Sequence, residues 1–168
     1  FEAPADAGAN NVYEVIVAVT DGNGGTDTQA LSVTVTNVNE APVISSNGGG
    51  ATAAVSVAEN QTAVTTISST DVDGGAPAYS IVGGADAARF SIDSASGVLT
   101  FNAAPNFESP TDAGGNNVYD VTVQVSDGAL TDTQSIAGTV TNVNEARLIT
   151  SAAAASVPEN QTAATPVT

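Results

Sequence analysis

The sequence repeats itself at an interval the size of a whole domain. Residues 1–41 recur as residues 107–146, from a shared Phe-Glu at the start to a shared TNVNEA at the end. The motif ENQTA in residues 57–63 recurs in residues 157–163. An interval of roughly 100–105 residues exceeds a solenoid unit and suits an independent domain. We therefore divide the chain into the end of one repeat (1–41), a complete repeat (42–146) and the start of a third (147–168).

Within each repeat, the hydrophobic pattern is that of β-strands. Apolar and polar residues alternate through 118–126, which predicts a strand with one buried and one solvated face. The same alternation in the first copy predicts that Tyr13, Val15, Val17 and Val19 face inward. Residues 21–28 are rich in Gly and Asp and predict a hairpin loop to the next strand. Further strands are predicted at 53–58, 62–69, 78–82, 88–93 and 98–102, and no convincing helix is found. About seven strands in about 100 residues indicate an all-β fold of tandem β-sandwiches.

The composition excludes several classes of function. The chain has no His and no Cys, so it contains neither a nucleophile–histidine site nor a Cys/His zinc site. Only two basic residues face eighteen acidic ones, giving a formal net charge of −16, so we expect no nucleic-acid partner. The chain contains no run of about 18 apolar residues, so no membrane-spanning helix is predicted. Oxygen ligands without nitrogen or sulfur suit hard cations such as Ca²⁺, although a solvated acidic surface is the alternative.

A series of short motifs occurs in order along the repeat. The motifs are Val57-Ala58-Glu59-Asn60 and Val157-Pro158-Glu159-Asn160, Asp71-Val72-Asp73, Phe90-Ser91-Ile92-Asp93 with Ser96-Gly97-Val98-Leu99, Asn106-Phe107-Glu108, Asp127-Gly128, and the linker Asn37-Val38-Asn39-Glu40-Ala41-Pro42. Each motif is weak alone, but their order and repetition are specific. Together they resemble the cadherin family in its bacterial cadherin-like branch.

The resemblance implies seven-stranded Greek-key sandwiches with Ca²⁺ bound at the junction between successive repeats. The first junction would take its ligands from Glu2, Asn37, Asn39, Glu40, Asp71, Asp73 and Asp127. The second would use Glu59, Asn106, Glu108, Asn142, Asn144 and Glu145, with its remaining ligands beyond Thr168.

Several of these positions depart from the family pattern or have simpler explanations. Asn37, Asn142 and Asn106 stand where the family has an acidic residue, so we expect fewer ions or weaker binding. The Asp residues at 71, 73 and 127 also suit ordinary turns. Glu59 could be a solvated acid at a strand end, and the linker could be merely polar.

We expect a non-enzymatic, extracellular module of a bacterial surface protein, in which Ca²⁺ stiffens the joints of an adhesin or stalk. Its partners would be neighbouring repeats and other copies of itself, without membrane insertion. The alternative is a subunit of an extracellular filament assembled by strand exchange between chains, with calcium secondary.

Overall fold

The computed structural model describes residues 1–146, so the predicted start of the third repeat (147–168), with its motif Val157-Pro158-Glu159-Asn160, lies outside the described residues. The strands are β1 (Val12–Thr20), β2 (Thr26–Thr34), β3 (Val43–Ile44), β4 (Thr52–Ala58), β5 (Ala63–Thr66), β6 (Ser69–Thr70), β7 (Ala78–Gly83), β8 (Phe90–Ile92), β9 (Val98–Phe101), β10 (Val118–Ser126) and β11 (Thr131–Thr141). Two three-residue 3₁₀ turns lie at Ser46–Gly48 and Ala87–Arg89.

The complete repeat forms a β-sandwich, as predicted. One sheet has the order β4-β11-β10-β7, and the other has the order β5-β9-β8, with β3 and β6 as a short additional pair. All neighbouring strands are antiparallel except β4 and β11, which are parallel. The chain thus crosses between the sheets from β4 to β5, from β7 to β8 and from β9 to β10, as Greek-key connections require.

Alternating side chains of β10 and β11 supply one half of the core. Tyr119, Val121, Val123 and Val125 are each at most 1% exposed. Across the sandwich, the Phe101 ring stacks on Phe90 at 4.6 Å and meets Tyr119 edge-on at 5.1 Å. A core of a few aromatics and many branched aliphatic side chains agrees with the composition.

The β1–β2 hairpin has the strand register of β10–β11 but no second sheet over it. Tyr13 pairs with Val33, as Tyr119 pairs with Gly138. Tyr13 is nevertheless 37% exposed, compared with 1% for its equivalent Tyr119. The prediction that this face is buried is therefore wrong for residues 1–146, in which no sheet packs against it.

Two predicted strands are shorter than their apolar pattern suggests. The segment 62–69 is divided into β5 and β6, because Ile67 turns into the core and its N–H bonds to the Gly97 carbonyl. The first residues of 88–93 belong to the 3₁₀ turn at Ala87–Arg89. The repeat has seven strands of three or more residues, as expected, plus β3 and β6. Among the described residues, no helix is long and apolar enough to span a membrane.

Candidate metal centres

The first acidic cluster lies where residues 1–41 meet the complete repeat. Carboxylate oxygens of Glu2, Glu40 and Asp73 lie within 4.8 Å of one another. Glu2 precedes β1, Glu40 lies in the linker between β2 and β3, and Asp73 lies in the turn after β6. The cluster thus joins one acid of the first repeat (Glu2) and one of the linker (Glu40) to one acid of the complete repeat (Asp73).

Hydrogen bonds from the linker hold Asp73 in this cluster. The Asn37 side-chain amide donates to Asp73 Oδ1 at 2.6 Å, and the Glu40 backbone N–H donates to Asp73 Oδ2 at 2.8 Å. These donors, the Asn37 amide first, hold the pKa of Asp73 below its ordinary value. Asp73 therefore ionises more readily than an ordinary aspartate.

Glu40 experiences the opposite effect. Desolvation, followed by the negative charges of Asp73 and Glu2, raises the pKa of Glu40 above its ordinary value. Three carboxylates at this spacing repel one another when all are ionised. A bound cation would relieve this repulsion.

Asp71, Asp127 and Asn39 surround the cluster without belonging to its closest group. Asp71 Oδ1 accepts the Asp73 backbone N–H at 2.9 Å, which shapes the turn. Asp127 Oδ1 accepts the backbone N–H groups of Ala129 and Leu130, whereas its Oδ2 accepts the Asn39 side-chain amide at 2.7 Å. The turn roles of both Asp residues are therefore real, and Asp127 in addition contacts the linker.

The second acidic cluster lies at the other end of the complete repeat. Carboxylate oxygens of Glu59, Glu108 and Glu145 lie within 4.8 Å of one another. Glu59 follows β4, Glu108 lies between β9 and β10, and Glu145 follows β11. Glu108 and Glu145 are the repeat equivalents of Glu2 and Glu40. The same two positions of the repeat therefore contribute a carboxylate to each cluster.

Glu59 is a buried carboxylate with two backbone donors. It is only 1% exposed, and it accepts the Val143 N–H at 2.7 Å and the Phe107 N–H at 2.8 Å. These bonds, the one from Val143 first, lower the pKa of Glu59 below its ordinary value. The reading of Glu59 as a solvated strand-end acid is therefore wrong.

Two side-chain amides complete the second cluster. Asn142 donates its amide to Glu108, as its equivalent Asn37 does to Asp73. Asn60 donates its amide to Glu145. Asn60 is a contact that the sequence reasoning missed, although it stands beside Glu59 in the repeated ENQTA motif.

Two of the predicted ligands form no hydrogen bond with a cluster residue in the described part of the chain. Asn106 Oδ1 accepts the Ser109 N–H at 3.0 Å, so this side chain closes a local turn. Asn144 is exposed in the segment after β11. Each of the other predicted ligands either belongs to one of the two acidic clusters or forms a hydrogen bond with a cluster residue, except Asp127, which bonds to Asn39 of the linker.

The chemistry of these donors fits Ca²⁺. Each cluster offers three carboxylates with nearby amide groups, and Ca²⁺ takes about six to eight oxygen ligands, including carboxylates and amide carbonyls. The chain has no His or Cys, so it offers neither the imidazole nor the thiolate ligands of zinc and copper sites.

The fold is similar to that of cadherin extracellular domains. Protocadherin gamma B7 domains 1–4 align with a TM-score of 0.60 and 24% identity over 82% of this chain and 34% of that one. Protocadherin gamma B2 domains 3–6 align with a TM-score of 0.57 and 24% identity over 81% of this chain and 34% of that one. Drosophila N-cadherin domains 1–3 align with a TM-score of 0.50 and 19% identity over 80% of this chain and 44% of that one. The chain thus spans about a third of the length of the first two.

The sequence itself matches no protein-family model and no curated protein. The fold rests instead on the strand order, the packed core and the structural likeness. We conclude that the complete repeat is a β-sandwich with the cadherin-like fold.

Proposed function

We propose that the chain is a non-enzymatic structural module of an extracellular, adhesion-type protein, in which Ca²⁺ rigidifies the junctions between cadherin-like repeats. The observation that carries this proposal is the meeting of Glu2 and Glu40 with Asp73. These acids come from two successive repeats, so a cation bound among them would tie one repeat to the next.

The linker supports this role because it already contacts the second repeat. Asn37 and Glu40 bond to Asp73, and Asn39 bonds to Asp127. A cation would add metal coordination to these hydrogen bonds and would remove the repulsion among the carboxylates. The hinge between the repeats would then lose freedom of movement.

The second cluster supports the proposal independently. Glu59, Glu108 and Glu145 all come from the complete repeat and its following linker. They would form one half of the next junction, as Glu2 and Glu40 form half of the first. Taken together, the two clusters suggest a four-acid junction: the equivalents of Glu59, Glu108 and Glu145 from one repeat, and of Asp73 from the next.

Calorimetric titration with Ca²⁺ tests the proposal, with one variant for each cluster. We expect the unmodified chain to bind Ca²⁺ with a dissociation constant in the extracellular range of about 10⁻⁴–10⁻³ M. Asp73→Asn should weaken binding at the first cluster and Glu145→Gln at the second. Asp27→Asn removes a charge from the β1–β2 hairpin and should change neither. Absence of Ca²⁺ binding to the unmodified chain would refute the proposal.

Strand exchange between chains has less support. The open face of the β1–β2 hairpin is equivalent to the face that β10 and β11 bury with strands of their own repeat. The simplest complement to the hairpin is therefore the rest of a repeat of the same kind.

A further inference from the structure

A single asparagine occupies the same special place in both copies of the repeat. Asn11 and Asn117 directly precede β1 and β10, and both have a left-handed backbone, with φ of 63° and 62°. The Asn11 side-chain amide donates to the Phe1 carbonyl at 2.8 Å, and the Asn117 amide donates to the Phe107 carbonyl at 2.9 Å. The two copies thus repeat one arrangement of side chain and backbone.

The bond made by Asn117 leads directly to the second acidic cluster. Phe107 is held at its carbonyl by Asn117 and at its N–H by Glu59. The next residue is Glu108, whose carboxylate meets Glu59 and Glu145. Asn117 therefore fixes the peptide segment that carries one acid of the cluster and bonds to another.

The surroundings of Asn117 leave its amide with one evident task. Its backbone N–H bonds to Asp112 Oδ1, and its backbone carbonyl accepts the Val140 N–H, which adds one pair to the β10–β11 ladder. The side-chain Oδ1 is buried and has no hydrogen-bond partner among the described residues. An unpaired buried oxygen has a cost in free energy. The left-handed backbone favours Gly or Asn at this position, and the donation to Phe107 is the contact that the amide adds.

We propose that Asn117 is a positioning residue for the second acidic cluster, and Asn11 for Glu2 in the first. Each asparagine holds the backbone beside a metal-binding glutamate, so the carboxylate meets the ion without first being ordered. This inference rests on the proposed calcium function.

The substitution Asn117→Gly tests the positioning role, because glycine accepts the left-handed backbone while it removes the side-chain donor. Amide hydrogen exchange in Ca²⁺-free protein is the first measurement. We expect faster exchange at the Phe107 N–H, because that segment is released. The Val140 N–H should keep its protection, since its acceptor is the backbone carbonyl of residue 117. Unchanged exchange at Phe107 would overturn the inference, whether or not the chain binds calcium.

Ca²⁺ titration is the second measurement, made in an Asp73→Asn background so that binding at the first cluster is weakened and the second cluster dominates the signal. Loss of a partner that orients a metal ligand weakens metal binding by about 10–100-fold, and we expect Asn117→Gly to fall in this range. In the same background, Asn47→Gly is the matched control and should leave the affinity unchanged, because Asn47 also has a left-handed backbone, with φ of 53°, but donates its amide to Gln134. Equal affinities for Asn117→Gly and its parent would overturn the positioning role. A parent chain that binds no Ca²⁺ would instead refute the proposed function, and the exchange measurement would still decide whether Asn117 holds Phe107.

Discussion

At the scale of single residues, asparagine amides stand at positions where acidic residues were expected, and they donate hydrogen bonds to the remaining carboxylates. Asn37 and Asn142 stand where the resemblance expects acidic linker residues, and each donates its amide to a carboxylate of a cluster. A neutral donor stabilises a carboxylate without an ion, whereas another carboxylate would need one. The junctions should therefore depend on Ca²⁺ less strongly than fully acidic junctions would.

Asn37→Asp should make the first junction bind Ca²⁺ more tightly. The interaction of two unit charges at 4 Å in water is about 1 kcal/mol, so a new carboxylate facing a divalent ion contributes about 2 kcal/mol, or more than tenfold in affinity. Without Ca²⁺, the same change replaces a hydrogen bond to Asp73 with repulsion and should lower the melting temperature. Calorimetry and thermal unfolding measure the two effects.

Asn23→Asp is the control for this added charge, because residue 23 lies in the β1–β2 loop, away from the residues of both clusters. It should leave the affinity unchanged. An equal gain in affinity for Asn23→Asp would mean that overall charge, rather than the first cluster, attracts the ion.

Gly138 is one of the positions at which the two copies of the repeat differ. It is buried at the position that Val33 occupies in the first repeat. A Cβ atom there would lie 3.5 Å from the Tyr119 carbonyl oxygen and 4.0 Å from the Val55 side chain, which is ordinary contact. Gly138→Val should therefore stabilise the repeat by about 1–2 kcal/mol in denaturant unfolding.

Gly97→Ala provides the contrast. Gly97 has φ of +71°, and a Cβ atom there would collide with the Ile67 carbonyl oxygen. This substitution should destabilise the repeat by more than about 1 kcal/mol. If Gly138→Val instead destabilises the repeat, the β11 register must direct the new side chain into residues that are already closely packed.

At the scale of elements, alternation predicted the long strands well. β10 follows it at every residue, because one of its faces is buried and the other is not. The breaks at 67–68 and the 3₁₀ turn at Ala87–Arg89 were not predictable in this way. They depend on contacts to Gly97 and Asn102, which lie far away in sequence.

The loop before β10 is an element that the strand pattern does not describe. Asp112 is only 7% exposed, and its carboxylate accepts the backbone N–H groups of Asn116 and Asn117. Burial alone would raise the pKa of Asp112, but these hydrogen bonds outweigh it and hold the pKa below its ordinary value. The ionised carboxylate is therefore part of the folded loop.

Acid should consequently destabilise the Ca²⁺-free repeat. A carboxyl whose folded pKa is lowered stabilises the fold above its unfolded pKa of about 3.9, and this contribution is lost as the pH falls below that value. The backbone N–H of Ser96 lowers the pKa of Asp93 in the same direction. Urea unfolding between pH 6 and about pH 2 should show the loss.

Asp112→Asn should flatten part of this pH dependence and lower the stability at neutral pH by about 1–3 kcal/mol, because one backbone donor loses its acceptor. Asp27→Asn, which removes an exposed acid from β2, serves as the control. A pH profile identical to that of the unmodified chain would contradict the role of Asp112.

At the scale of the whole molecule, the sequence predicted which acidic residues lie together better than it predicted their hydrogen-bond partners. The ordered motifs brought together Glu2, Glu40 and Asp73, and the repeat placed Glu108 and Glu145 in equivalent positions. The partners of Glu59 could not be predicted, because Phe107 and Val143 approach it only through the folding of the sandwich. Asn60 and Asn117 were missed for the same reason.

The division into repeats predicts a chimera that folds as an additional sandwich. Residues 42–106 placed directly before Phe1 restore the order found in 42–146, since Phe1 is the equivalent of Phe107. The apolar face of the β1–β2 hairpin should then be covered. We expect Tyr13 to become protected from chemical acetylation, and Val17→Asp in the chimera to reverse that protection. Continued reactivity of Tyr13 in the chimera would contradict the proposed repeat boundaries.

The central claim is that Ca²⁺ clamps the junction between two repeats. Small-angle scattering and thermal unfolding of the chain, followed from chelator to millimolar Ca²⁺, test it most directly. We predict a longer, stiffer particle and a higher melting temperature with Ca²⁺, and loss of the stiffening in Asp73→Asn. If neither the particle dimensions nor the melting temperature respond to Ca²⁺, the acidic clusters are a solvating surface and the clamp does not exist.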